Sequence, residues 1–279
     1  MMRLRATALL AVFPFAFWQA PAGGGSHGTV NFTSAGQTSW TVPAGVTSIT
    51  VKCWGAGGYR NYGSRNEYGG GAAYATAQYT VVPTATVKIW VGADFSSSGG
   101  HGSMAADGSG IYNWMVVAGG GGDSNISSNN GSYGGYGGAT TGDAGANDGG
   151  GNATGGGGGF SSGGGAAGTG TGGPGAAGDG PASIAFGPNN TSGGGGYYSG
   201  GSGGFDSSYN TAGNGGGASF YDTNGAHNYL GGGSSTSGTD GATGLNAANR
   251  GDGNYMSGHG NGGQTDTTSG QPGLVVIIY

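Results

Sequence analysis

The groups in this chain that could carry acid–base, nucleophilic or metal chemistry are four histidines, one cysteine and twelve carboxylates. His27, His101, His227 and His259 lie far apart and form no H-x-x-x-H or paired Cys/His pattern of the kind a zinc site needs. They read as surface-loop residues. Two Asp side chains meeting in space could hydrolyse a glycosidic bond. Yet most Asp residues sit beside glycine, as in Gly142-Asp143, Asp148-Gly149, Asp179-Gly180 and Gly251-Asp252-Gly253, where turn chemistry accounts for them. Gly200-Gly201-Ser202-Gly203-Gly204 fits G-x-S-x-G in letters but lacks the strand–turn–helix setting of a nucleophile elbow. No Gly-Lys-Ser/Thr exists, and G-x-G-x-x-G arises by chance about five times in such a composition. Gly203-Gly204-Phe205-Asp206 resembles a calcium-binding nonapeptide fragment, but no nine-residue period is sustained. No catalytic, cofactor-binding or metal-ligating residue is therefore expected. The candidate ligand contacts are aromatic: Tyr197, Tyr198, Phe205 and Tyr209. Such rings supply contact area to a sugar or protein at low entropy cost, and the competing role is to cap the glycine-rich segments around them.

Composition narrows the classes further. Of 279 residues, 76 are glycine, and charged residues make up 7%, against about 25% in an ordinary soluble domain. Irregular glycine runs and eight prolines exclude collagen. Arg3 and Arg5, the apolar stretch from Ala6 to Trp18 and the small residues Ala20-Pro21-Ala22 read as a secretory signal over residues 1–22. The apolar stretch is shorter than the roughly 20 residues of a spanning helix. Removal of Arg3 and Arg5 leaves five bases against twelve carboxylates, a net charge of −7. With no clustered Lys or Arg, nucleic acid and anionic membrane surfaces are disfavoured as partners, and no membrane insertion is expected. Cys53 can form no intrachain disulfide and alternates onto the same face as Ile49 and Val51, so it reads as a small buried hydrophobe.

Short runs read as strands at 29–33, 38–42, 47–54, 73–82, 86–91 and 114–118, with clean alternation over 47–54. No segment of the mature chain shows a helical period with caps. From Gly119 to Gly273 the composition shifts to Gly, Ser, Ala, Asn and Thr punctuated by Tyr or Phe, and the chain closes on the apolar run Leu274–Tyr279. That run suits a strand buried on both faces, with partners more than 150 residues upstream. Residues 119–273 then form an insertion between strands of one base, which comprises 23–118 and 274–279. A structureless loop of that length would be very unusual. Two readings compete for it: flexible low-complexity chain, or a bundle of polyglycine II helices whose backbones hydrogen-bond one another. Low charge and spaced aromatics favour the bundle. The expected fold is all-β, an antiparallel β-sandwich base carrying that bundle.

The stretch Trp40-Thr41-Val42-Pro43-Ala44-Gly45-Val46-Thr47-Ser48-Ile49-Thr50-Val51-Lys52-Cys53-Trp54-Gly55-Ala56-Gly57-Gly58 resembles the opening of the glycine-rich domain family, T-W-T-V-P-A-G-V-T-S-V-T-V-x-V-W-G-A-G-G. Val116–Gly122, Gly216–Phe220 and Gly273–Tyr279 resemble its later blocks. Members occur in bacterial and phage surface proteins. Similar regions occur in anaplastic lymphoma kinase-type receptors and, more loosely, in T-even-like phage tail-fibre adhesins. The resemblance implies a β-sandwich base with polyglycine II helices that binds through loops at the bundle's end. Cys53 departs from the aliphatic residue usual there, and no kinase or attachment segment is present to carry over receptor signalling.

The expectation is a secreted, non-enzymatic structural or adhesive protein of a cell or particle surface. Its partners would be copies of itself, or a surface glycan or protein. The main alternative is a phage-type tail-fibre tip adhesin. An ice-binding face would need regular Thr spacing, which is not visible, and a glycoside hydrolase would need close carboxylates in a cleft.

Overall fold

The computed structural model describes residues 27–60, 68–93, 100–108, 113–124, 133–147, 152–160, 162–171, 193–205, 212–224, 227–239, 245–263 and 269–279. The expected signal segment lies outside them. Among them are ten strands and no helix. In chain order these are β1 (Thr29–Phe32), β2 (Gly36–Thr41), β3 (Ser48–Trp54), β4 (Tyr74–Thr80), β5 (Thr86–Val91), β6 (Ser103–Asp107), β7 (Trp114–Ala118), β8 (Phe220–Tyr221), β9 (Tyr229–Thr236) and β10 (Leu274–Ile278). The runs read as strands in the sequence correspond to β1–β5, β7 and β10. Three strands had no such signature. β6 is Ser-Met-Ala-Ala-Asp, poor in β-branched residues; β8 is two residues long; β9 carries three consecutive glycines. β8 and β9 lie within 119–273, so the sheets also take strands from inside the glycine-rich stretch.

Two antiparallel five-stranded sheets result, ordered β1-β10-β3-β4-β9 and β2-β5-β6-β7-β8. β10 pairs Leu274 with Trp54 and Ile277 with Val51, more than 200 residues upstream. One apolar cluster draws on both sheets: Val51, Cys53, Ala75, Ala77 and Val275 from the first, Val87, Ile89, Ala105 and Val116 from the second. The other faces are covered too. Ala247, Ala248 and Tyr255 pack over Trp54, Tyr74, Leu274 and Val276, and the Trp54 indole donates to the Ala248 carbonyl at 3.0 Å. On the second sheet Tyr197 and Phe220 pack against Met104, Trp114 and Val117. Burial on both faces is why β7 and β10 read as unbroken apolar runs.

At one end of the sheets the chain passes into glycine. β3 continues as Gly55–Gly58 and β7 as Gly119–Gly122, while residues 69–73 lead into β4 and Gly100–Gly102 into β6. Backbone partners here recur every third residue. In segment 213–218 the N–H groups of Gly213 and Gly216 donate to the carbonyls of Ala146 and Asp143. Those of Asn214 and Gly217 donate to Asp123 and Gly120, and those of Gly215 and Ala218 to Gly201 and Tyr198. Its carbonyls accept from Gly156 and Gly159, from Gly135 and Gly138, and from Gly194 and Tyr197, again three residues apart. Six neighbouring segments thus surround 213–218. Approach is so close that a Cβ at Gly120 would lie 1.8 Å from the Gly100 oxygen, and one at Gly216 1.9 Å from that of Tyr136. Any side chain at these positions would displace a neighbouring backbone.

Candidate functional site

Two places bring chemically distinctive side chains together, at different parts of the fold. The first is the aromatic flank beside the glycine end. Tyr197 leaves β7's neighbouring glycine segment and stacks on Phe220 of β8, ring centroids 4.2 Å apart and planes 12° from parallel. Tyr198 meets Tyr197 edge-on at 5.2 Å. Trp90 and Trp114 form a second edge-on pair at 5.5 Å on the same side of the sheet. Tyr197, Tyr198, Phe220 and Trp90 remain half-buried. Burial, then the neighbouring Tyr198, raises the Tyr197 hydroxyl pKa. The platform can offer ring faces and neutral hydroxyls to a sugar or an apolar side chain, and no charge.

Of the four residues singled out from the sequence, this flank unites Tyr197 and Tyr198. Phe205 stands elsewhere, its backbone against Gly170, where an added Cβ would lie 2.1 Å from the Phe205 oxygen. Tyr209 lies outside the described residues. Phe220, Trp90 and Trp114 were not anticipated as partners of the tyrosines. Only the reading of β5 and β7 as strands placed the two tryptophans at all.

The second place is a cavity of about 500 Å³ at the opposite end of the sheets, where β4 ends and β5 begins. Val42, Val81, Val87 and Met115 form apolar walls, and Thr80, Thr86, Asp107, His227 and Asn228 contribute polar groups. His227 is buried, with its Nδ1 2.7 Å from Asp222 Oδ2. Asp222 is itself fixed: its N–H donates to the Met115 carbonyl, and its Oδ1 accepts the Asn224 N–H at 2.9 Å. Tyr79, fully buried, donates its hydroxyl to the Met115 carbonyl at 2.5 Å and stands edge-on to the imidazole. Its desolvated hydroxyl is strongly raised in pKa. His227 Nδ1 is thus engaged with Asp222, and Nε2 is the other ring position. Among the described residues Nε2 is buried without a hydrogen-bond partner, and Asp107 Oδ2 stands 3.6 Å away.

The histidines correct the expectation of surface loops. His101, His227 and His259 are all buried, and only His27 is exposed among the four. His259 Nδ1 is 2.9 Å from the Gly273 carbonyl, and its own carbonyl accepts the Tyr255 hydroxyl at 2.8 Å, a tie across loop ends. Burial lowers the His101 pKa below its ordinary value. Cys53 is buried as expected, with its thiol pKa pushed far up by desolvation. Among the described residues, no group of three or more His, Cys, Asp or Glu could hold a metal ion. No described helix is long and apolar enough to cross a membrane. Ser202 of the G-x-S-x-G letters is buried among glycine segments, its N-terminal neighbour Gly201 donating to the Gly157 carbonyl.

No protein-family model matches the chain, and no curated protein is found to be related to it.

Proposed function

We propose that the protein is a secreted, non-enzymatic structural or adhesive element of a cell or particle surface. In this reading a β-sandwich base carries a polyglycine II bundle able to join other copies into a fibre or matrix. The observation that carries the reading is the period of three in the backbone pairing around 213–218, with six segments about one. Polyglycine II has three residues per turn and no internal hydrogen bonds, so its N–H and C=O groups point outward in three directions. Each direction then meets a different neighbour, which is the pattern the hydrogen bonds follow. A body of this kind is rigid and nearly uncharged, and Arg250 is the single Lys or Arg in 119–273. Those properties suit a protein that persists outside the cell among proteases. The resemblance of residues 40–58 to the glycine-rich domain family points the same way.

The half-buried Tyr197–Tyr198 pair favours a second reading, a phage-type tail-fibre tip that grips a glycan or surface protein. The experiment is electron microscopy and sedimentation of the purified protein, together with binding of the labelled protein to glycan arrays and intact cells. Ordered assemblies, with the chain beginning after residue 22, support the structural reading. Binding that is lost in Tyr197→Ala and Tyr198→Ala, in a chain that keeps its N-terminus, supports the tip adhesin. A monomer that binds no surface overturns both.

A further inference from the structure

We propose that β2 pairs with β2 of a second copy of the chain, antiparallel about a two-fold axis at Ser39. The β2-β5-β6-β7-β8 sheets of two copies would then join edge to edge. The contact is made by the strands, and it goes beyond the assembly through glycine segments proposed above.

The two sheets have four edge strands, β1 and β9 in one and β2 and β8 in the other. An exposed edge is a template for another strand, and proteins blunt it by shortness, bulges, proline or charge. β8 has two residues and β1 has four. β9 is longer, but Gly231 and Gly232 at positive φ and a shifted register against β4 break its line. β2 carries none of these devices. Its six residues pair with β5 without a register shift and include no proline and no charge. All are exposed except Trp40, which is half-buried.

The ladder shows which backbone groups face outward. The Val42 N–H donates to the Ala85 carbonyl at 2.9 Å, one step beyond the Thr41–Thr86 pair. Bonding residues alternate along an antiparallel pair, so Trp40, Thr38 and Gly36 turn their backbone groups toward β5. Gln37, Ser39 and Thr41 present theirs away from the sheet. Among the described residues no other strand meets them there.

Register, side chains and charge select a second copy as the occupant. Gln37, Ser39 and Thr41 are symmetric about Ser39, so the edge is its own complement. Ser39 would face Ser39 of the second copy, and Gln37 would face Thr41, giving about six backbone hydrogen bonds. Thr38 would meet Trp40 across the join, a pairing of β-branched and aromatic residues that stabilises sheets, while the other pairs are polar and uncharged. The chain has a net charge of −5, which opposes self-association wherever charges meet. From Gly28 to Val51 there is no Asp, Glu, Lys or Arg. Lys88 of β5 lies beside Ser39. Its counterpart would stand three strand spacings away, about 14 Å, beyond a Debye length of about 8 Å. A join of one short strand from each chain is small, so its affinity belongs in the micromolar range.

The test is sedimentation velocity of the full chain from about 1 to about 200 μM, with disulfide trapping. A reversible monomer–dimer equilibrium is expected. Ser39→Lys puts two like charges on the axis and should weaken the dimer at least about tenfold. Because Ser39 is exposed, the unfolding midpoint of the dilute variant should stay at the parent's value. Cross-linking reads the register. Two Ser39 Cα atoms would be about 5.5 Å apart, within disulfide reach, whereas two Gln37 Cα atoms would be about 15 Å apart. Cys53 is buried and does not compete. Oxidised Ser39→Cys should therefore run as a covalent dimer and Gln37→Cys as a monomer. A parent that stays monomeric throughout leaves the edge to a strand of some other protein and overturns the proposal. A Ser39→Lys chain that associates like the parent also overturns it, even where its assemblies support the glycine-segment reading. Cross-linking of Gln37→Cys as readily as Ser39→Cys does the same.

Discussion

Replacing Gly216 by Ala places one methyl group where the structure has a carbonyl. The new Cβ would lie 1.9 Å from the Tyr136 oxygen, 2.3 Å from its carbon and 2.9 Å from the Gly137 nitrogen. The 133–138 segment would have to retreat by about 1.5 Å to restore an ordinary contact. That retreat breaks the bond in which Asp143 N–H donates to the Tyr136 oxygen at 3.0 Å. It also disturbs the two bonds of residue 216 itself, to the Asp143 carbonyl and from the Gly159 N–H. At about 1 kcal/mol for each net hydrogen bond, the loss is about 3 kcal/mol. For a chain of this size that is about 6–12 °C in the unfolding midpoint. The control lies in the same kind of sequence: an added Cβ at Gly163 meets nothing within 4 Å. Gly163→Ala should therefore be neutral, or stabilise by up to about 1 kcal/mol through the unfolded chain. Thermal and urea unfolding of both variants, with amide exchange across 133–147 and 212–224, measures the difference. If Gly216→Ala matches Gly163→Ala in stability and exchange, the close packing of these backbones is refuted and the stretch behaves as flexible chain.

Asn214 is fully buried; its Oδ1 accepts the Gly203 N–H at 2.9 Å and its Nδ2 donates to the Asp123 carbonyl at 3.3 Å. Asn214→Gly removes bulk without a clash yet should cost about 1–3 kcal/mol in urea unfolding by orphaning the Gly203 N–H, while the Asp123 carbonyl keeps the main-chain N–H of residue 214. Cys53, buried and with a raised pKa, should react with a thiol reagent at least about a thousandfold more slowly in the native protein than in denaturant. Lys52 Nζ holds both oxygens of Asp252 and the Asn254 side chain at 2.8 Å. Lys52→Met should loosen the 245–263 loop and cost about 1–3 kcal/mol, seen as faster amide exchange there. His101 has a folded pKa below its ordinary value of 6.5 because of burial. Below that pH the unfolded chain binds a proton that the native ring refuses, so stability should fall as pH drops from 6.5 toward the folded pKa. His101→Gln should flatten that part of the curve in denaturant titrations at a series of pH values.

β3 and β10 were legible because their apolar residues either alternate or run unbroken, and burial on one or both faces leaves that mark. β6 was not, because Met104, Ala105 and Ala106 are buried by neighbours on both faces rather than by their own bulk. β9 was hidden by Gly231 and Gly232, whose positive φ values of 133° and 66° accompany a register shift against β4. The partners within the glycine region were illegible for a different reason. Glycine carries no side chain to distinguish one neighbour from another, so the composition indicates close packing but not which segments meet. The buried Asp222–His227 pair was also hidden. Asp222-Thr223-Asn224-Gly225-Ala226-His227 has the composition of a surface turn, and only the contact of the two side chains shows otherwise. Tyr197 and Tyr198 were recognisable as a pair, whereas Phe220, 23 residues from Tyr197, had no local sign that it would stack on that ring.

The glycine region and the apolar core fail under opposite perturbations, and that difference constrains how such a protein can vary. Around Val51, Cys53 and Ile89, volume is filled by side chains, so a lost methylene leaves a void while an isosteric exchange is absorbed. Around 213–218 volume is filled by neighbouring backbones, so nothing can be added and there is little to remove. The polar side chains that enter this region take over a backbone group's role. Asn214 does so for Gly203 and Asp123. Ser219 accepts the Gly119 N–H at 3.0 Å and donates to the Gly138 carbonyl at 2.7 Å. Asp123 accepts the Tyr59 N–H at 2.7 Å. Each has a short side chain with an oxygen close to the main chain, the chemistry that elsewhere competes with backbone hydrogen bonds. Here it completes them. Chemical variety is thus pushed to the flank where Tyr197 and Tyr198 lie and to the far cavity around His227, places where a side chain can change without displacing a neighbouring backbone.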